Sequence, residues 1–213
     1  MGIPSIAAYP MPGGEDLPPG MVKWLPEANR AAFLIHDMQR YFVAPFAPGQ
    51  SPVRPLVDNI RAIRALARQV GIPVFYTAQP GNMTPAERGL LHDFWGPGMS
   101  DRPADKEIID ELRPDAGDTV LAKWKYSAFI RSDLEQQLVR HGRDQLIVSG
   151  VYAHVGCLMT ACDAFSRDIE TFFVADAVAD FTAEYHQLSL RYAAERCAVP
   201  ITTELLLSAL RAS

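Results

Sequence analysis

The sequence predicts an α/β protein of three layers, with helices on both faces of a mostly parallel, six-stranded sheet. Short apolar runs alternate with amphipathic stretches along the chain, and strands that alternate with helices form parallel sheets through right-handed crossovers. The 213 residues, 48% of them hydrophobic, are enough for one sizeable core. A third observation is that polar residues follow several of the apolar runs directly, as they do where strands end at a sheet edge.

The strands are predicted from short apolar runs bounded by Gly, Pro or charged residues. None of these runs is long enough for a helix of ordinary length. In chain order the predicted strands cover residues 31–36, 72–77, 119–123, 145–150, 171–175 and 199–202.

The helices are predicted from apolar spacing and end signals. Thr84 and Glu87 form a capping box with Pro85 at the first helical position, and Ser132 with Glu135 forms a second one. The other predicted helices cover 56–70, 105–112, 154–166, 183–197 and the C-terminal residues after 202.

Proline marks two segments as irregular. Residues 1–28 contain six prolines, which fix φ and remove backbone donors, so an extended N-terminal arm is expected there. Residues 41–55 are predicted to be a Pro-rich loop. The remainder, 29–213, is expected to form a single domain.

Composition excludes several classes of protein. The net charge is −5 and no Lys/Arg-rich run occurs, so we expect no nucleic-acid partner. The three cysteines show no disulfide pattern, the first residues do not resemble a signal peptide, and no apolar run approaches about 20 residues. We therefore expect a cytoplasmic protein with no membrane span.

Chemically useful groups follow the predicted strands. A carboxylate (Asp37) and an amide (Gln79) follow two predicted strands, and an ammonium (Lys123) ends a third. The turn at 150–156 brings Tyr152 and Gly156. Ligands of open parallel sheets bind at the carboxyl ends of the strands. Backbone N–H groups at such a turn suit an anion. The sequence therefore predicts a catalytic pocket at this edge.

Each of these groups has a structural alternative. Asp37 and Asp176 have the position of helix caps, and Lys123 has that of a solvated surface lysine. His36 and His154 lie near the same edge, but no third ligand is spaced to complete a metal site.

Several segments, in order along nearly the whole chain, resemble the isochorismatase family. The resemblance implies the Rossmann-like, isochorismatase-like hydrolase fold, with 29–213 as the catalytic domain. The segments are 34–39, 76–80, 93–98, 123–129, 150–156 and 174–181.

The resemblance also concerns a missing residue. The wider superfamily of cysteine hydrolases uses an Asp, a Lys and a nucleophilic Cys; Asp37 and Lys123 match the first two, and Gly156 stands in place of the Cys. Cys157 lies one residue later, where one helical step turns its side chain away by about 100°. Isochorismatases need no nucleophile, because protonation of a pyruvate enol ether gives a cation that water traps. The resemblance implies Asp37 as the general acid, pyruvate as a product, and neither a metal nor an organic cofactor.

Further roles are implied by the same resemblance. Polar contacts to the substrate are expected from one group of residues and apolar pocket walls from another, and a non-proline cis peptide is expected between Val151 and Tyr152. The polar group is Gln79, Arg88, Tyr152 and Gly156, and the walls are Phe42, Trp95 and Tyr126. Without the resemblance, Arg88 would be assigned to the surface and Trp95 equally to the core.

Two chorismate-derived substrates fit this family. We favour 2-amino-2-deoxyisochorismate, converted to trans-2,3-dihydro-3-hydroxyanthranilate, because residues 2–10 and 196–198 resemble the phenazine-pathway enzyme and no carrier domain is expected before Ser213. Isochorismate, converted to 2,3-dihydro-2,3-dihydroxybenzoate for siderophores, is the second candidate. The family is usually dimeric, so a homodimer is expected. The alternatives are an amidase that uses Cys157 and a non-catalytic dimeric partner of a carrier protein.

Overall fold

Six strands form one sheet in which every neighbouring pair is parallel. The computed structural model describes residues 3–213, so Met1 and Gly2 of the predicted arm lie outside it. The strands are β1 (Ala31–His36), β2 (Val74–Ala78), β3 (Thr119–Ala122), β4 (Gln145–Val151), β5 (Glu170–Ala179) and β6 (Val199–Ile201).

The strand order places a crevice at the middle of the sheet. The order is β3-β2-β1-β4-β5-β6, so the chain runs outward from β1 and then returns to β4 beside it. In this pair His36 lies in register with Gly150, so both strands end together. Such a reversal of strand order is where ligands bind in open α/β sheets.

Helices cover both faces of the sheet. They are α1 (Arg40–Val43), α2 (Val53–Gln69), α3 (Pro85–Arg88), α4 (Leu91–Trp95), α5 (Pro103–Lys106), α6 (Leu134–Arg140), α7 (Leu158–Phe165), α8 (Ala183–Arg196) and α9 (Thr203–Ala212). One apolar core contains α2 and α9 with Phe33 and Ile35, and the other contains α6, α7 and α8 with Ala32 and Leu34. This alternation along β1 follows the two-residue period of a strand. The result is a three-layer α/β/α arrangement.

The helix predicted over 105–112 is wrong. Only α5, ending at Lys106, and a 3₁₀ turn at Asp110–Leu112 are helical. Between them the backbone pairs with residues 38–40: Arg40 N–H donates to the Glu107 carbonyl (2.8 Å) and Ile109 N–H to the Met38 carbonyl (3.0 Å). These tertiary hydrogen bonds outweigh a local helical pattern.

The predictions at two other helix starts are also wrong. Residues 41–55 are not all loop, because α1 lies there and α2 begins at Val53; Pro55 is tolerated since first-turn N–H groups have no intrahelical partner. The capping box at Ser132 is absent, because α6 begins after Asp133. Ser132 Oγ instead donates to the Ala128 carbonyl. The box at Thr84 is present as predicted.

The N-terminal arm crosses the carboxyl end of the sheet. Ile6 is buried, and its N–H donates to the Pro45 carbonyl at 2.8 Å. Tyr9 reaches the end of β5, and Ile3 enters the cavity described below. Within residues 3–213 no helix has the length and apolar character needed to cross a bilayer.

Candidate active site

A cavity with about 510 Å³ of open space, part of it continuous with solvent, lies where β1 and β4 end. This is the position at which open α/β sheets bind ligands. All ten predicted site residues line the cavity: Asp37, Phe42, Gln79, Arg88, Trp95, Lys123, Tyr126, Val151, Tyr152 and Gly156. The sequence analysis did not predict four other lining residues, which are Ile3, Tyr41, Leu91 and Val155.

Asp37 and Lys123 form a buried ion pair at the base of the cavity. Lys123 Nζ lies 2.7 Å from Asp37 Oδ2, and the two side chains are only 2% and 6% exposed. Thr77, at the end of β2, donates its hydroxyl to Asp37 Oδ1 at 2.7 Å and accepts the Asp37 N–H at 3.1 Å. Neither residue of the pair is a helix cap or a surface charge. Thr77 was not predicted as a site residue, because a threonine inside a strand carries no sequence signal for this role.

The backbone at Asp37 is left-handed, with φ at 51°. Non-glycine residues rarely adopt this conformation, and they retain it mainly at functional sites that enforce it. It turns the chain sharply after β1 while Thr77 holds the Asp37 N–H.

His36 supports the ion pair from beneath. The imidazole is fully buried, with Nδ1 3.1 Å from the Val151 carbonyl and Nε2 3.2 Å from Thr160 Oγ1. Burial lowers the pKa of His36 to about 4, so the ring is neutral at pH 7. It lies 3.6 Å from Asp37 Oδ2.

Arg88 brings a second cation to the cavity. It is buried, its Nε donates to the Gly96 carbonyl at 2.9 Å, and its Nη1 donates to Gln79 Oε1 at 3.2 Å. Among residues 3–213 no carboxylate pairs with Arg88, and burial lowers the pKa of its guanidinium. Gly98, at φ 83°, passes so close that a Cβ there would lie 2.9 Å from Arg88 Cζ. An uncompensated buried cation favours an anionic ligand.

Gln39 fixes the position of Gln79. Its side-chain Oε1 accepts the Gln79 N–H at 2.7 Å, and its Nε2 donates to the Gln79 carbonyl at 2.9 Å. The same amide donates to the Lys106 carbonyl at 2.7 Å. Gln39 is therefore a positioning residue that the sequence analysis missed, because a buried amide after a strand resembles any polar loop residue.

Aromatic rings form one wall of the site. Trp95 Nε1 donates to the Tyr126 hydroxyl at 2.8 Å, which makes Trp95 a wall residue rather than core filler. The centroid of the Phe181 ring lies 4.2 Å from that of Tyr152 and 6.0 Å from that of Trp95. The Tyr152 hydroxyl donates to the Phe42 carbonyl at 2.7 Å, and burial raises the pKa of this phenol.

The turn after β4 is held from the side by Asp180. A cis peptide joins Val151 to Tyr152, and a single π-helical turn, Ala153–Cys157, follows. The fully buried Asp180 carboxylate accepts the His154 N–H at 2.6 Å, contacts His154 Nδ1 at 2.7 Å and accepts the Phe181 N–H at 2.8 Å.

The arm joins this network through Tyr9. Its hydroxyl accepts the Asp180 N–H at 2.8 Å and lies 3.1 Å from His186 Nδ1. His186 Nε2 lies 2.9 Å from the Ala175 carbonyl, so Nε2 carries the proton and Nδ1 accepts from Tyr9. The arm is thus tied to the same segment that holds the turn.

The alternative site residues lie elsewhere. Cys157 is fully buried in the core on the α7 side, and burial raises the pKa of its thiol well above the usual value. Asp176 lies inside β5 and is not the cap of a helix that follows it. Its Oδ1 accepts hydrogen bonds at 2.7 Å from the N–H and the hydroxyl of Thr203, the first residue of α9, whose N-cap is Thr202. In the described part of the chain, no group of three or more His, Cys, Asp or Glu side chains is arranged to hold a metal.

Comparison with known proteins identifies relatives over nearly the whole chain. Residues 31–205 match the Isochorismatase domain family. The chain is 54% identical over 211 residues to the isochorismatase of Bacillus subtilis strain 168, covering 99% of this chain and 68% of the relative. It is 52% identical over 203 residues to the phenazine biosynthesis protein PhzD of Pseudomonas fluorescens, covering 95% and 97%. Enterobactin synthase component B of Escherichia coli K12 is 50% identical over 209 residues, covering 98% and 73%.

The fold has counterparts among solved structures. A cysteine hydrolase from Pseudomonas syringae pv. phaseolicola 1448A superimposes with a TM-score of 0.82 at 23% identity, covering 90% of this chain and 97% of that one. This likeness confirms the predicted three-layer fold. Since the family match spans most of its length, the chain belongs to the isochorismatase family. It is an isochorismatase-type hydrolase.

Proposed function

We propose that this enzyme hydrolyses the pyruvate enol ether of an isochorismate-type substrate, with Asp37 as the general acid. Asp37 gives its proton to the terminal methylene carbon, and the enol ether becomes an oxocarbenium ion. Water adds to this cation and returns a proton to the carboxylate. The hemiketal then collapses to pyruvate and a cyclohexadiene alcohol. No covalent enzyme intermediate is required.

One observation carries this proposal: among the described lining residues, the cavity pairs a carboxyl group with a cation but has no aliphatic hydroxyl or thiol nucleophile. Among the residues that line it in the described chain there is no Ser, Thr or Cys. Asp37 is the only carboxyl group among the described lining residues. The resemblance to cysteine hydrolases implies that Gly156 stands where those enzymes have a thiol. A site of this kind suits acid catalysis by a positioned side chain.

The substrate's carboxylates explain the two cations. Arg88 has no carboxylate partner of its own and faces the cavity with Gln79, so we assign it to one substrate carboxylate. Lys123 faces the same cavity, and the Gly156 N–H offers a further donor. Tyr152 contributes an acceptor, since its proton is already given to Phe42.

A substrate carboxylate near Lys123 would also prepare the acid. A cation close to a carboxyl group favours the ionised form, which cannot donate a proton. Lys123 lies 2.7 Å from Asp37, so an anionic substrate that pairs with this ammonium offsets the effect. A substrate analogue with a neutral amide in place of that carboxylate should therefore show a lower kcat as well as weaker binding. An unchanged kcat would contradict this part of the proposal.

We place 2-amino-2-deoxyisochorismate first among the substrates and isochorismate second. The order rests on the resemblance of residues 2–10 and 196–198 to the phenazine-pathway enzyme. The relative named isochorismatase, at 54% identity, supports the second candidate. The two substrates differ by one amine or hydroxyl group, so one pocket can bind both.

Pyruvate release tests the function directly. The protein is given each substrate, and pyruvate is followed with lactate dehydrogenase and NADH. We expect turnover of both, with the higher kcat/KM for the amino compound. A higher value for isochorismate would reverse the order of substrates. No pyruvate from either would favour a non-catalytic partner of a carrier protein.

We propose that the enzyme acts as a homodimer. Support comes from an apolar stripe on α8, where Tyr185, Leu188 and Tyr192 are 44%, 39% and 46% exposed. Met159 and Phe165 are also exposed on α7, which packs against α8. Light scattering after gel filtration should give twice the chain mass. Leu188→Lys should lower the measured mass towards that of a single chain.

The cytoplasm is the proposed location. Three free cysteines, Cys157, Cys162 and Cys197, support a reducing compartment. Cell fractionation of a tagged protein checks this assignment, and recovery in a secreted or membrane fraction would contradict it.

A further inference from the structure

The turn after β4 passes so close to His36 that no side chain fits at position 156. A Cβ built on Gly156 would lie 2.2 Å from His36 Cε1, 2.9 Å from Nδ1 and 3.0 Å from Nε2. All three contacts are with one imidazole ring. Protein interiors are packed as densely as crystals of small molecules, so an overlap of this size must displace the ring. Even alanine therefore requires His36 to move.

The ring is held where it is by two hydrogen bonds. The Val151 carbonyl can only accept, so His36 Nδ1 carries the proton and donates to it at 3.1 Å. Nε2 is then the acceptor for the Thr160 hydroxyl at 3.2 Å. Thr160 Oγ1 in turn accepts the Ala128 N–H at 3.0 Å. Moving the ring breaks both of its bonds in the buried core, and leaving a buried donor or acceptor without its partner is costly.

We propose that His36 is a positioning residue whose ring excludes a nucleophilic side chain at position 156, so that this site must catalyse without one. Its ring fills the volume that a side chain at position 156 requires. The same ring holds the Val151 carbonyl and immediately precedes Asp37 in the chain. The inference goes beyond the proposed function, on which it depends only for its activity readout.

The inference explains what the glycine does. Gly156 is needed here for steric reasons as well as for the loss of a thiol, and its backbone lines the cavity. To introduce a cysteine nucleophile at position 156, His36 must be replaced first or at the same time. A single replacement of Gly156 displaces the support of Asp37 and gives no usable nucleophile.

A double-mutant cycle tests the coupling between the two positions. The four proteins are the wild type, Gly156→Ala, His36→Asn and the double variant. Asparagine keeps a donor for the Val151 carbonyl but lacks the ring atoms nearest to position 156. We expect Gly156→Ala to lower kcat/KM by about 100-fold or more in the wild type, because a displaced residue next to the reacting groups is that costly. In the His36→Asn background the same change should cost less than about tenfold.

The matched control is Gly117→Ala, because a Cβ at Gly117 meets nothing within 4 Å. It should leave kcat/KM and the Tm unchanged, which separates local crowding from a general effect of replacing glycine. Should Gly156→Ala not fold, the coupling is measured instead as recovery of a folded protein and its Tm in the double variant.

Two readouts separate positioning from a merely structural role. In folded Gly156→Ala, kcat should fall more than KM rises, because the displaced ring adjoins Asp37 while the Gly156 N–H is kept. His36→Asn should retain more activity than His36→Ala. Equal costs of Gly156→Ala in both backgrounds would overturn the inference. A failure of the proposed chemistry would appear instead as unchanged pyruvate release in Asp37→Asn, and it would leave the Tm cycle intact.

Discussion

Two buried carboxylates lie at the carboxyl end of the sheet, and they have opposite surroundings. Asp180 accepts three hydrogen bonds from His154 and Phe181, and it does not line the cavity. Asp37 contacts Lys123 and Thr77 and faces the cavity. A carboxylate whose acceptor sites are filled by fixed donors stabilises structure. A carboxylate that faces a ligand-binding cavity can instead exchange a proton with a bound substrate.

The strongest test of this contrast is Asp37→Asn. The amide keeps the shape but cannot deliver a proton, so kcat for pyruvate release should fall by about 10²–10⁴-fold. Lys123 also loses its buried partner, so circular dichroism and the Tm must accompany the kinetics. Asp58→Asn, at an exposed residue of α2, is the matched control. Undiminished release from Asp37→Asn would refute the role of general acid.

The next test uses acid conditions and concerns the region of Asp37, because the fully buried His36 lies beside it. Burial lowers the pKa of His36 to about 4, so the folded protein resists protonation there while the unfolded chain takes a proton near pH 6.5. The unfolded state therefore binds more protons between these values, and stability must fall as the pH falls from 6.5 to 4. The loss through His36 is about 3 kcal/mol at most.

Urea unfolding at pH 7.5, 6.0 and 5.0 measures this effect. His36→Gln should be less stable at pH 7.5 but should lose less stability on acidification than the wild type. His92→Gln, at an exposed imidazole of α4, should follow the wild-type slope. Parallel slopes for His36→Gln and the wild type would show that His36 does not titrate as described.

Asp180→Asn probes the structural carboxylate. Its amide cannot accept from all three N–H donors and loses the charge, so unfolding free energy should fall by about 2 kcal/mol. We expect kcat to stay within about tenfold of the wild type, in contrast to Asp37→Asn. Urea unfolding and pyruvate release measured on one preparation make the comparison. A loss of kcat equal to that of Asp37→Asn would mean that the contrast is false.

The smallest effect is expected at the arm. Tyr9→Phe removes the hydroxyl that joins the arm to Asp180 and His186, at a cost of about 1 kcal/mol. Because Ile3 lines the cavity, KM should rise by a small factor while kcat is kept. Ser208→Ala, which removes an exposed hydroxyl of α9, serves as the control. An unchanged KM would separate the arm from the site.

Much of the site could be predicted because its residues follow strands. Asp37 and Lys123 come directly after β1 and β3, so parallel topology alone brings them to one edge. The roles of Arg88 and Trp95 came only from the family resemblance, since both have ordinary surface or core interpretations. Their burial depends on tertiary packing against Gly96 and Tyr126.

The residues that were missed are those whose roles depend on distant partners. Gln39 and Thr77 act on backbone and side chains 40 residues away. Ile3 lies in a segment for which the prolines predict an extended conformation, but no local pattern shows where such a segment packs. The incorrect helix at 105–112 has the same cause, because backbone pairing with residues 38–40 decides its conformation.

The wall that contains Trp95 also provides an optical reporter. The indole lines the cavity, donates to Tyr126 and stacks on Phe181, so a ligand that displaces water from it alters its surroundings. With Trp24 and Trp124 replaced by phenylalanine, fluorescence emission would report occupancy of the pocket alone. Substrate dissociation constants then become measurable in an inactive variant, independently of turnover.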